Sequence, residues 1–282
     1  MSAVVDAGDV VVQVAAAQRT AAIGRVVETG PRSGGLLDRL VLIGPIDPCG
    51  ECDVCRRGGA AVCPVAVRRD TIGDRVIAAG RWVVALGDGL ELPIPAGAAV
   101  AGDVAIAYTL YARTGLAPRD PVVVVGASPI ARFLVEILIA KGITPTVVAD
   151  PVRTAWCDWL LARGAMVART ASGDARATVA AAIAALGIGA KPWRVIAASP
   201  DATEAAAWLA GPRATLTVLA PVASLPGDLV SREVTVIGVA GAHPDLVVET
   251  AAMCVKGEID LADGTSAVEN DVMRAIVRTR GS

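Results

Sequence analysis

Histidine is almost missing from this sequence: His243 is the only one. A centre built on several imidazoles is thereby excluded, and a Ser-His-Asp triad would have to recruit His243 with no motif around it. Aromatic residues are nearly as scarce at 3%, with one Phe and two Tyr. With a formal charge of −2 and no basic stripe, that scarcity argues against a surface for nucleic acid or an anionic membrane. No uncharged apolar run reaches the roughly 20 residues needed to span a bilayer. Residues 1–15 hold Asp6 and Asp9 but no basic stretch followed by an apolar one, so no export signal is read there. The expectation is a soluble cytoplasmic chain. Neither a Gly-x-Ser-x-Gly elbow nor a P-loop is present.

What the sequence does hold is small apolar residues. Apolar types make up 54% of its 282 residues, mostly Ala and Val. Short Val- and Ile-rich runs suit a buried parallel sheet covered by helices. Over the first hundred residues the pattern is β-rich, with strands expected at 10–14, 23–27, 39–43, 75–79 and 82–86 and no long helix. From residue 103 strands alternate with helices. Helix 103–115 leads to strand 121–126, amphipathic helix 129–141, strand 146–150, helix 152–163 and strand 166–168. Helix 175–186, strand 194–198, helix 201–209 and strands 215–219 and 234–239 follow. That alternation predicts a doubly wound parallel sheet.

Four of the six cysteines fall within residues 49–63. Cys49, Cys52, Cys55 and Cys63 read C-x2-C-x2-C-x7-C. Four thiolates so spaced enclose Zn2+ tetrahedrally with no open position, a structural rather than catalytic geometry. Cys157 and Cys254 stand alone in helical patterns and read as core thiols. Tyr108 and Tyr111, three apart on a helix, read as packing residues.

Gly126-Ala127-Ser128-Pro129-Ile130-Ala131 follows an expected strand and opens a helix, the context of a dinucleotide fingerprint. Asp150 ends the next strand, where an acid bonds the ribose hydroxyls of NAD. Gly126, Ser128, Pro129, Ile130 and Asp150 are therefore the candidate cofactor residues. Ser128 departs from the pattern, because a Cβ there intrudes where backbone should meet pyrophosphate. Without a ligand the same residues make a tight strand-to-helix turn.

The run from Pro48 to Gly58, closing at Cys63-Pro64, resembles the structural-zinc lobe of the zinc-containing medium-chain alcohol dehydrogenase/reductase superfamily. IGRVVETG at 23–30, GDRVIAAGRWVVALGDGLELP at 73–93 and IGVAGAHPDLVVETAAMCVKGEIDL at 237–261 resemble the flanking and closing segments. The resemblance implies an α/β fold: a Rossmann-type doubly wound parallel sheet plus a β-rich GroES-like domain carrying the zinc lobe. Its domains would be 1–102 with the lobe at 45–64, then 103–242, then a C-terminal return at 243–282. The chain ends soon after residue 261, short of the superfamily's final strand and helix, so it reads as a shortened member.

Enzymes of this superfamily hold a second, catalytic zinc with a Cys, a His followed by Glu, and a further Cys or Asp. Arg19, Thr20 and Ala21 stand where the His-Glu pair should be, and no cysteine precedes Cys49. Only Asp103 matches a ligand position, and it reads more simply as a helix N-cap or first-turn carboxylate. The superfamily often has glycines where this chain has Ser199-Pro200, Arg213-Ala214 and Ala220-Pro221. The resemblance thus implies one structural Zn2+ and, as cofactor, NAD. It disfavours a zinc-dependent dehydrogenase with a rebuilt metal site and leaves two other functions open. One is an NAD-linked oxidoreductase without catalytic zinc, acting on a small alcohol or carbonyl. The other is a catalytically inactive structural or regulatory subunit. The resemblance also implies a homodimer paired through strand 234–239, with His243 in an exposed turn beyond it.

Overall fold

A computed structural model describes residues 5–69, 72–87, 92–170, 175–187, 189–219 and 225–261. The chain forms two compact units, one of Met1–Ile106 with Gly241–Leu261 and one that includes Ala107–Ala240.

The first unit opens with a long hairpin, β1 (Asp9–Gln18) and β2 (Ala21–Thr29). Sequence pattern marks only the outer parts of these strands, because Ala15-Ala16-Ala17 lacks the β-branched and aromatic side chains that favour a pleated surface. Cross-strand pairing carries both strands inward to a two-residue turn at Arg19 and Thr20, with Gln18 opposite Ala21. Strands β3 (Leu40–Ile43), β4 (Ile46–Asp47), β5 (Val67–Arg68), β6 (Arg75–Ala79) and β7 (Val84–Leu86) follow. The antiparallel sheet runs β6-β1-β2-β3-β7, and β4 and β5 form a separate ribbon. Val10, Val12, Val26, Val41 and Ile43 fill the sheet's buried face. Buried Asp47 grips Arg69 through both carboxylate oxygens and accepts the Ala79 N–H at 2.9 Å. That ion pair ties the ribbon to the sheet, with hydrogen bonds offsetting its desolvation.

Two elements differ from expectation. Where a strand over 82–86 is expected, the chain first makes a 3-10 turn at Gly80–Trp82. The helix expected from residue 103 is already under way by then. An α-helical stretch, Ile94–Ala99, passes into a π-helical turn, Val100–Val104, and on to Ala105–Thr114. Pro93, Pro95 and Gly97 disguise its start as a loop, although proline is well tolerated in a first helical turn. The helix lies on the hairpin at glycine distance. A Cβ on Gly97 would sit 2.4 Å from Ile23 Cδ1, and one on Gly102 would sit 3.2 Å from Ala21 Cβ.

In the second unit six parallel strands run in the order β10-β9-β8-β11-β12-β13. They are β8 (Val123–Val125), β9 (Thr146–Ala149), β10 (Met166–Arg169), β11 (Arg194–Ala197), β12 (Thr215–Leu219) and β13 (Thr235–Val239). Winding reverses between β8 and β11, the switch point of the sheet. Val123, Val195, Leu216 and Val218 pack with Ala206, Ala207 and Ala210, so much of the alanine serves to bring helices close to the sheet. β13 stands at the sheet edge.

The expected helix is present as Pro129–Ala140, and it lies deep in the unit. Every residue from Ile130 to Leu138 is buried, including Arg132 and Glu136. Charge is tolerated there because Glu136 lies 3.9 Å from Arg132 and 3.5 Å from Arg163. Both guanidinium groups also sit over the ring of Trp159, a favourable cation–π arrangement.

Candidate metal centre and nucleotide crevice

Four sulfurs converge in the loop between β4 and β5. The Sγ atoms of Cys49, Cys52, Cys55 and Cys63 all lie within 4.8 Å of one another. Three of the separations are 3.6, 3.9 and 4.0 Å. A tetrahedron of thiolates about 2.3 Å from a zinc ion has S–S edges of about 3.8 Å. The spacing fits a metal and is far too long for a disulfide, at about 2.05 Å. Backbone N–H groups support the sulfurs: Cys52 donates to Cys49 Sγ and Cys55 to Cys52 Sγ, both at 3.4 Å, and Cys49 to Cys63 Sγ at 3.5 Å. Hydrogen bonds from the N–H groups of Glu51 and Cys52 pull the Cys49 thiol down to about 6. Burial, with the neighbouring thiols, pushes Cys55 up to about 12. Sulfurs this close cannot all ionise unaided, and a divalent cation removes that penalty.

The loop is braced from outside. The 3-10 turn that replaces the start of the expected strand sends the Arg81 guanidinium to the Cys49 carbonyl and Trp82 Nε1 to the Pro48 carbonyl at 2.6 Å. Gly50 adopts φ 72°, and a Cβ on it would meet Arg81 and Trp82 at 3.4 Å. His243, expected in an exposed turn, has a side chain only 16% exposed. Its Nε2 lies 2.9 Å from the Gly58 carbonyl, so it ties the C-terminal return to the lobe. No pattern in the sequence announces that contact, which joins residues 185 apart.

Asp103 is a first-turn carboxylate rather than an N-cap. It sits inside the π-helical turn, 4% exposed, and accepts the Gln18 amide at 2.9 Å. Burial raises its carboxyl above the ordinary range, opposed by the charge of Arg19 and the Gln18 bond. Among the described residues, the four cysteines form the one group of three or more His, Cys, Asp or Glu able to share a metal. Cys157 and Cys254 are buried. Tyr108 and Tyr111 pack ring against ring at 5.5 Å.

In the second unit the fingerprint residues lie beyond the carboxyl end of β8. Gly126 takes φ 113°, and Ser128 caps the helix Pro129–Ala140. Ser128 Oγ accepts the Ala131 N–H at 3.0 Å and donates to the Ala198 carbonyl at 2.9 Å. A Ser-Pro pair is a recognisable helix start, but the bond to Ala198 is not readable from sequence. Asp150, just past β9, accepts the Val152 N–H at 3.0 Å and so shapes its own turn. Ser199-Pro200 opens a 3-10 turn, and Arg213 adopts φ 57°. Ala220-Pro221 lies outside the described residues.

The two folds present, a doubly wound parallel sheet and a β-rich unit with a four-cysteine lobe, are shared with solved alcohol dehydrogenase structures. Three solved structures are similar to the chain. A short chain alcohol dehydrogenase from E. coli, complexed with NADH, shares 16% identity at a TM-score of 0.75, covering 91% of this chain and 83% of its own. A cobalt- and zinc-bound thermostable alcohol dehydrogenase from Pyrobaculum aerophilum shares 18% at 0.71, covering 94% and 88%. Galactitol-1-phosphate dehydrogenase from Escherichia coli shares 17% at 0.75, covering 97% and 90%. No protein-family profile matches the sequence, and no curated protein sequence does.

Proposed function

We propose that this chain is an alcohol dehydrogenase-like, zinc-binding member of the medium-chain oxidoreductase superfamily. In this reading it keeps one structural zinc and no catalytic zinc, and serves as a catalytically inactive structural or regulatory subunit. The observation that carries the reading is the β1–β2 hairpin. Two residues, Arg19 and Thr20, turn the chain where the resemblance calls for a loop bearing two metal ligands. Asp103 alone cannot replace them, since a catalytic zinc takes three protein ligands, and its carboxylate is already engaged by Gln18. Bound to Cys49, Cys52, Cys55 and Cys63, zinc would supply cross-links that order the lobe. Metal analysis beside an assay of alcohols and carbonyls with NAD(H) tests the proposal. One zinc per chain and no turnover is expected; two zincs or clear turnover overturns it.

A second reading, an NAD-linked oxidoreductase without catalytic zinc, is favoured by one observation. Gly126 and Asp150 end adjacent strands, β8 and β9, where a nucleotide ribose would find its acid. A small alcohol or carbonyl would be the substrate. The NADH in the E. coli neighbour lends it support.

The pairing proposed for two such chains uses β13. Its residues Thr235, Val236 and Gly238 are exposed, and an apolar edge strand favours a partner. A cytoplasmic location is proposed as well; no described helix is long and apolar enough to cross a membrane.

A further inference from the structure

We propose that Ser128 closes the diphosphate cradle of the parallel sheet from within, so that the crevice between β8 and β11 takes no nicotinamide dinucleotide. This deepens the inactive reading above and rests on it for the identification of the crevice. In a doubly wound sheet the diphosphate lies at the switch point, held by N–H groups at a helix N-terminus that glycines leave open. Two of the first three helical positions offer a phosphate no donor here: Pro129 has no N–H, and Ala131 donates to Ser128 Oγ at 3.0 Å, which leaves the N–H of Ile130.

The same hydroxyl donates to the Ala198 carbonyl at 2.9 Å, joining the loops after β8 and β11 across the switch point. A phosphate oxygen could accept from Ala131, but it carries no proton for Ala198. In that place it would set lone pair against lone pair. The space opened by Gly126 is filled too: a Cβ there would lie 2.7 Å from Ser199 Oγ and 3.2 Å from Ala202 Cβ. Ser128 and Ser199 are each 8% exposed. The glycine therefore serves contact between the chain's own loops, and the serine stands in for the phosphate.

Calorimetric titration of the full chain with NADH, for wild type, Ser128→Gly and Ser128→Ala, tests this. Wild type should show no saturation up to millimolar NADH. Ser128→Gly, which removes both the hydroxyl and the Cβ, should bind at least tenfold more tightly. Ser128→Ala, which frees the Ala131 N–H but keeps the Cβ, should gain less. Should Ser128→Gly fail to fold, judged by zinc content and circular dichroism, Ser128→Ala carries the comparison. Micromolar binding by wild type, or no gain in a folded variant, overturns the proposal. Turnover is read on the same samples. Wild type that binds NADH without turnover overturns the closed cradle and leaves the inactive reading standing.

Discussion

Asp103 carries its charge in a buried place with one hydrogen-bonding side chain, Gln18, for support. Burial holds its folded pKa above the ordinary 3.8. A group raised in this way favours the folded state fully below the unfolded value of about 3.9. That contribution is lost as pH rises through the higher folded value. Gln18 Oε1 is meanwhile buried without a hydrogen-bond partner. Asp103→Asn removes the buried charge and offers Gln18 a donor. The variant is expected to gain on the order of 1 kcal/mol at pH 8 and to lose nearly all that advantage near pH 4. Thermal melts at the two pH values check this; a variant that melts below wild type at pH 8 contradicts it.

Among the elements, the helix laid on the hairpin and the zinc lobe make separate claims. Gly97 lets the helix approach Ile23 so closely that Gly97→Ala must push one of them aside. Overpacking of this kind costs about 1–3 kcal/mol, and urea unfolding should show a lower midpoint with an unchanged slope. The lobe has too little apolar burial of its own to hold its shape: of its four cysteines only Cys63 is buried. Removing zinc with a chelator should release the loop and expose Arg56 and Arg57 to trypsin, with cleavage there at least tenfold faster. Equal cleavage with and without chelator would mean that the brace from Arg81, Trp82 and His243 suffices without metal.

For the whole molecule the surface that matters to the proposed pairing is β13, which among the described residues is paired on one side to β12 and stands at the sheet edge on the other. In the proposed homodimer, Ile237→Lys places a charge in the pairing strand, and light scattering at micromolar concentration should fall from dimer mass to monomer mass. A wild-type monomer under those conditions removes the proposal.

The alternation of Val-rich strands and helices after residue 103 dictates the parallel sheet, because burial on both faces leaves a continuous apolar run that few other folds need. The four cysteines declared their cluster for a similar reason: they are close in sequence, so their geometry is local. Less was legible where contacts are distant. The inner halves of β1 and β2 are alanines that only pairing makes into strands, and the helix start at Ile94 hides behind two prolines. His243 reaches Gly58, Gln18 reaches Asp103, and Ser128 reaches Ala198 across separations of 185, 85 and 70 residues. Residue type alone announced the scarcity of histidine and the oddity of Ser128. What His243, Asp103 and Ser128 contact was settled by packing, since a hydrogen bond between remote segments depends on where the fold carries them.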